Sequence, residues 1–283
     1  MIQDIAPKHF YNEFTKGKNV TPGDADIVFY FSEDLKKKQI FGRAEGGTIR
    51  FPRVADIPSP ARPRLVYLFS IDEQHFFLCI DDIKMFLEAF QFSALPLSYL
   101  RELKPQDLAF AGSIAWQLNV WYQSNRFCGR CGEFTRYSET ERALVCPRCG
   151  NIIYPRINPA VIIGVIRGGS ILVSRYAGRS YKGIALLAGF CEIGETAEQT
   201  VQREVMEEVG IHVKNIRYYK SQPWGFESDL LLGFYCEADG DEDLTVDHSE
   251  LAKARFVRRD ELEEGNGLTL TSEMIERFRK GEV

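Results

Sequence analysis

Apolar residues follow two spacings along this chain. Period-two or continuous apolar runs predict strands at residues 26–31 (DIVFYF), 65–70 and 76–80, with a polar turn over 72–75 between the last two. Asp81 or Asp82 then caps a helix running through Phe90. Residues 105–127 place apolar side chains at helical spacing, with Pro105 suited to a first turn and Leu108, Ile114, Leu118 and Trp121 as the packing stripe. That pattern fits a connecting helix, or more sharply an interface helix. Residues 160–167 and 170–175 flank Gly168-Gly169 as a hairpin. Strands follow at 211–221, 230–238 and 256–257, and a last helix at 271–280.

The strongest periodic segment lies between Thr196, with Gln199 three residues on as a capping box, and the helix stop Gly210. Stepped at about 100° per residue, Glu204, Glu207 and Glu208 fall within an arc of about 100°, and Ala197, Val201, Val205 and Val209 fill the adjoining arc. Three carboxylates so close repel one another and call for a cation. Hard divalent ions take carboxylate oxygens, and magnesium commonly binds one or two of them together with substrate phosphates.

The second chemical pattern is Cys128-x2-Cys131, fourteen intervening residues, then Cys146-x2-Cys149. Two such knuckles match a four-thiolate Zn2+ ribbon whose closed coordination is structural. Two disulfides are the competing pairing, disfavoured because the amino terminus has no secretory pattern. Cys79, Cys191 and Cys236 sit singly in apolar surroundings and are expected to be reduced. His9 and His75 are expected to be structural.

With 283 residues and 45% hydrophobic content, the chain has material for two cored domains. A net charge of -5 opposes a broad basic nucleic-acid surface and leaves room only for a local basic channel. No stretch reaches the length of a membrane span, so a cytoplasmic protein is expected, with no membrane partner.

Gly189, Glu195, Arg203, Glu204, Glu207, Glu208, Gly210 and Ile211 fit G-x5-E-x7-R-E-U-x-E-E-x-G-U, where U is aliphatic. This segment resembles the signature of the Nudix hydrolases. The resemblance implies Mg2+ or Mn2+ held by Glu204, Glu207 and Glu208. Glu208 would be ligand and base, Glu204 the next ligand and Glu207 a support, while Glu195 and Arg203 pair to fix the loop on the helix. Tyr154-Pro155-Arg156 after the ribbon, and SQPWGFESDLL at 221–231, resemble the NADH pyrophosphatase subgroup over residues 128 to about 257.

That subgroup implies Glu250 as a fourth metal acid and the Ala188 carbonyl in the metal shell. Its substrate loop would be Gln222, Pro223, Trp224, Gly225, Phe226, Glu227, Ser228 and Asp229. Phe190 and Tyr154 would stack on adenine, with Glu141 and Ser272 as further contacts, in a homodimer. The chain departs from SQPWPFPxS at Gly225, Glu227 and Asp229, changes expected to loosen the loop and add negative charge beside a phosphate-bearing ligand.

The reading is an α+β protein: an amino-terminal mixed α/β domain with a connecting helix (1–124), a zinc ribbon (125–153), and a Nudix α/β/α sandwich (154–283). Its expected reaction is hydrolysis of the pyrophosphate of NADH or NAD to nicotinamide mononucleotide and AMP, with NAD-capped RNA as a second substrate form. The alternatives are a hydrolase of ADP-ribose or another nucleoside diphosphate derivative, and a non-catalytic nucleotide sensor whose ribbon binds nucleic acid.

Overall fold

A computed structural model of the chain describes residues 1–14, 19–46, 48–57, 63–178, 183–265 and 267–283. It divides into two compact units. One comprises Ile2–Arg156 with Gly225–Glu227, and the other comprises Met1, Ile157–Trp224 and Ser228–Val283.

In the first unit, strands β1 (Phe10–Tyr11), β2 (Ile27–Phe29), β3 (Gln39–Glu45), β4 (Thr48–Arg50), β5 (Leu65–Ile71), β6 (Gln74–Cys79) and β7 (Ser93–Pro96) build two sheets, β1-β5-β6-β2 and β4-β3-β7. The three apolar runs expected to be strands are β2, β5 and β6. By contrast β3, β4 and β7 have mixed burial and no clean alternation, so the pattern along the sequence passes over them. Helix α1 (Lys84–Ala89) is shorter than expected and its cap is Ile83 rather than an aspartate. Asp82 still serves the first turn, accepting the Lys84 N–H at 3.0 Å. Val28, Tyr30, Phe41, Tyr67, Phe77, Leu87 and Phe92 pack into one cluster.

Helix α2 (Gln106–Ser124) requires a correction. Of the expected stripe only Leu118 and Trp121 are buried, while Leu108 and Ile114 are half-buried. Asp107, Ala109, Phe110, Ala111, Ser113, Ala115, Trp116 and Asn119 are buried as well. A helix apolar on all sides belongs in a core. It packs on β5 and β6 inside the first unit. The ribbon adds β8 (Arg136–Tyr137), β9 (Leu144–Val145) and β10 (Ile152–Ile153) as a small antiparallel sheet.

The second unit contains β11 (Asn158–Arg167), β12 (Ser170–Tyr176), β13 (Leu187–Phe190), α3 (Ala197–Val209), β14 (Val213–Trp224), β15 (Asp229–Ala238), β16 (Leu251–Arg258) and α4 (Leu270–Arg279). The sheet order is β14-β15-β11-β12-β16, with β13 also on β11. Strands β11 and β15 run parallel and the other pairs antiparallel. Alternation along β11 explains the layers. Val161, Ile163 and Val165 pack with Val201, Val205 and Val209 of α3, while Ile162 packs with Leu270, Met274, Ile275 and Phe278 of α4. Each such side chain contributes roughly 1.5–3 kcal/mol when fully buried. Both faces of the sheet are therefore covered by a helix, which is the expected α/β/α sandwich.

Candidate active site

Helix α3 starts where the capping box places it. Thr196 Oγ1 accepts the Gln199 N–H at 3.3 Å, Gln199 Oε1 accepts the Thr196 N–H at 2.8 Å, and the helix closes at Gly210 with φ 69°. Its three valines, fully buried, fix the rotation of the helix. That rotation carries Glu204 and Glu208 inward to 9% and 2% exposure and leaves the Glu207 side chain 59% exposed. Burying carboxylates costs free energy unless charge or hydrogen bonds compensate.

Arg203 is the local compensator. Its Nε and Nη2 form a fork on Glu195 at 2.6 and 3.0 Å, as expected, and Nη2 also donates to the Phe190 carbonyl at 2.9 Å. Beyond the expected pair, Nη1 donates to Glu204 Oε1 at 2.7 Å and Glu207 Oε2 at 2.9 Å. Glu195 further accepts the Thr200 hydroxyl and the Glu192 N–H. The Arg203 hydrogen bonds draw the Glu195 carboxyl down to about 2. Burial raises the Glu204 pKa against the pull of Arg203, and the charges of Glu207 and Glu250 add to the rise.

Gly189 shows why the sequence needs a glycine there. A Cβ at that position would lie 1.8 Å from the Glu204 carboxyl carbon, so the carboxylate rests directly on the β13 backbone. Ala188 is the neighbouring residue of β13, paired in register with Ile162.

Glu250 arrives from the far end of the sequence. The Glu208 and Val209 carbonyls accept the N–H groups of Asp247 and Thr245, fastening this loop to the end of α3. Glu250 then precedes β16, and its charge acts on Glu204. Glu204, Glu207, Glu208 and Glu250 offer carboxylate oxygens, and the Arg203 guanidinium is shared among Glu195, Glu204 and Glu207. Carboxylate oxygens are the ligand type that hard divalent cations take.

The three departures from the subgroup pattern each have a contact within the fold. A Cβ on Gly225 would lie 2.3 Å from the Ser113 carbonyl oxygen. Phe226 is 4% exposed, under the Arg101 guanidinium at 5.2 Å, and Glu227 pairs with Lys38 at 2.6 Å. Ser228 adopts φ 67°, and its carbonyl accepts the Asn158 N–H at 2.9 Å. Buried Asp229 accepts from Asn158 Nδ2 at 3.3 Å. Both added acids therefore have a partner within the fold.

Gln222, fully buried, accepts the Leu270 N–H at 2.7 Å and donates to the Leu268 carbonyl at 3.2 Å, binding the end of β14 to the start of α4. Pro223 and Trp224, half-buried, end β14 opposite Leu230 and Asp229. Ser272 Oγ accepts the Gly267 N–H at 3.1 Å. Tyr154, 56% exposed, donates its hydroxyl to Glu141 at 3.1 Å, so these two are brought together. Phe190 is 55% exposed. Thr200, Lys38 and Arg101 support these groups without being foreseen in the sequence. No motif marks them, because each is recruited by folding rather than by spacing.

The four ribbon cysteines converge with their sulfurs within 4.8 Å of one another. The pairs Cys131–Cys146, Cys131–Cys149 and Cys128–Cys149 stand at 3.4, 3.6 and 3.7 Å. Thiolates around zinc at about 2.3 Å sit roughly 3.8 Å apart, whereas a disulfide needs about 2.05 Å. All are free thiols, and the disulfide alternative is excluded. The two knuckles repeat one another. Gly132 and Gly150 take φ 75° and 69° and donate to the Cys128 and Cys146 carbonyls at 2.9 and 3.0 Å. The Arg130 N–H on the Cys128 sulfur lowers that thiol to about 6, towards the thiolate that zinc requires.

Comparison with known proteins agrees with these two centres. Residues 156–278 match the NUDIX domain, and residues 123–154 match the NADH pyrophosphatase zinc ribbon domain. The NAD-capped RNA hydrolase NudC of Enterobacter sp. (strain 638) is 47% identical over 147 residues, covering 52% of this chain and 56% of that protein. The protein of the same name from Salmonella typhi is 46% identical over the same shares. The matched region thus spans about half the length of these curated relatives. Among solved structures, a NUDIX hydrolase from Nitrosomonas europaea is 25% identical, covering 55% of this chain and 90% of its own, with a TM-score of 0.48.

Proposed function

From a chain that joins an NADH pyrophosphatase zinc ribbon at residues 123–154 to a Nudix domain at 156–278, we propose an enzyme that hydrolyses the pyrophosphate of NADH or NAD. Water adds to one phosphorus, the P–O–P bridge breaks, and nicotinamide mononucleotide and AMP leave as phosphate monoesters. The same cut on NAD-capped RNA frees a 5′-monophosphate end. The observation carrying this reading is the pair of inward carboxylates, Glu204 and Glu208, beside a backbone that admits no side chain at Gly189.

Glu204, Glu208 and Glu250, with Glu207 at the rim and the Ala188 carbonyl adjoining, would hold Mg2+ or Mn2+. Such ions, when bound, neutralise bridging phosphate charge and bring the pKa of a water near neutrality. Glu208 takes the proton of the attacking water, and Arg203 keeps Glu204 and the loop of Glu195 in position. Phe190 offers a face for the adenine ring, and Gln222, Pro223, Trp224, Ser228 and Asp229 shape the substrate side. A cytoplasmic homodimer is part of the same reading, and light scattering gives its mass.

Incubating the protein with magnesium and NADH, NAD, NAD-capped RNA or ADP-ribose in parallel tests the proposal. AMP with nicotinamide mononucleotide from the dinucleotides is expected, with activity lost on chelation. Cleavage of ADP-ribose alone would replace this substrate assignment, and cleavage of none would leave a nucleotide-binding sensor.

A further inference from the structure

The ribbon carries a surface that the hydrolysis does not use. Phe127 and Phe134 face one another across an antiparallel bridge, ring centroids 4.4 Å apart, with 53% and 57% of each residue exposed. Phe134 and Arg136 are two residues apart on one extended segment, and Arg136, Val145 and Ile152 form one row across β8, β9 and β10. Side chains alternate along strands, so Phe127, Phe134, Arg136, Val145 and Ile152 share a face. Leu144, buried, lies on the other. An exposed aromatic pair on so small a subdomain marks a binding surface more readily than a fold requirement.

Charge points to the occupant. Residues 123–154 hold five arginines against three glutamates in a chain of net charge -5. Among the described residues, exposed Arg126, Arg130, Arg136 and Arg148 join no ion pair, whereas Arg43, Arg50, Arg64, Arg258, Arg277 and Arg279 each have a carboxylate partner. A second copy of the ribbon would bring like charges together. A polynucleotide with unstacked bases supplies both missing complements, aromatic faces and phosphates, while a duplex hides its base faces.

We propose that this face of the ribbon binds a single-stranded polynucleotide, with bases stacked on Phe127 and Phe134 and phosphates met by Arg136. The strand it takes would be the RNA of a capped substrate, an assignment that rests on the function proposed above.

The test uses the full zinc-loaded protein and fluorescein-labelled, uncapped oligonucleotides of about twelve nucleotides, within the span of known single-strand sites. Anisotropy is read for single-stranded RNA, single-stranded DNA and RNA duplex. Both single strands are expected to bind and the duplex to bind more weakly. Phe127→Ala with Phe134→Ala should cost about tenfold or more in affinity at an unchanged salt slope. Arg136→Ala should reduce the slope of log affinity against log salt by about 0.7, the share of one phosphate left unneutralised. Zinc content and NAD hydrolysis should stay as in the wild type.

The proposal is overturned by a wild type that binds no single strand or by a double phenylalanine variant with undiminished affinity. If that variant changes the oligomeric mass and leaves RNA affinity intact, the face belongs to a second copy. A protein that binds RNA through these residues but cuts no dinucleotide would sink the proposed function alone. One that cuts NAD but ignores the oligonucleotides would sink this inference alone.

Discussion

Glu208 combines a carboxylate with near-complete burial, and its neighbours on α3 show how a helix can place it there. In Glu208→Gln the volume is kept and the charge removed. Turnover is expected to fall by orders of magnitude while nucleotide affinity stays measurable, because the charge acts mainly in the transition state; steady-state kinetics beside equilibrium binding check this. Gly189→Ala tests the same site from the backbone side. Its Cβ must displace Glu204. Manganese affinity by calorimetry should fall together with activity, while the fold, read by circular dichroism, persists.

Glu195 links this site to stability in acid. Its folded pKa of about 2 lies below the ordinary 4.5, so the Arg203 pair stabilises fully above the ordinary value and is lost as pH falls towards about 2. Denaturation midpoints between those pH values should drop more steeply in the wild type than in Glu195→Gln.

At the scale of elements, legibility tracks how local the cause is. Helix α3 is readable because its cap, apolar stripe and glycine stop all lie within the segment. The hairpin β11–β12 is readable for the same reason. Strand β16 shows only Phe256 and Val257, since Lys253, Arg255 and Arg258 interrupt its apolar positions and pairing with β12 decides its length. Helix α2 misleads because its apolar residues extend all round, and a stripe can be drawn through any such helix. The join between β14 and α4 is illegible, because Gln222 meets Leu268 and Leu270 across more than forty residues. Gln222→Ala leaves the buried Leu270 N–H without its acceptor, at a cost of about 1–3 kcal/mol. Urea unfolding of the variant should show that loss, and hydrogen exchange should quicken first at the start of α4.

For the whole molecule, the division into units sets what a local lesion reaches. The ribbon groups with the amino-terminal residues, and the sheet of β11 to β16 forms the other unit. Among the described residues no helix is long and apolar enough to cross a membrane. Replacing Cys128 by Ser opens the tetrahedral sulfur cluster. The variant should lose about one equivalent of zinc per chain by atomic absorption, since the site is built for four thiolates. Its thermal unfolding should begin earlier in the unit that contains the ribbon, with zinc content unchanged in a Cys79→Ala control.

The sequence by itself determined the acid helix with its caps, the two cysteine knuckles, and the apolar alternation that layers helix on sheet on helix. Each is written in spacings of a few residues, within reach of the chain's own geometry. Only the tertiary structure decided how deeply Glu204 and Glu208 are buried, that Arg203 spans three carboxylates, and which groups Gly225, Glu227 and Asp229 meet. Those facts depend on Ser113, Lys38, Asn158 and Gly189, whose approach comes from packing between segments distant in sequence, and no local pattern encodes it.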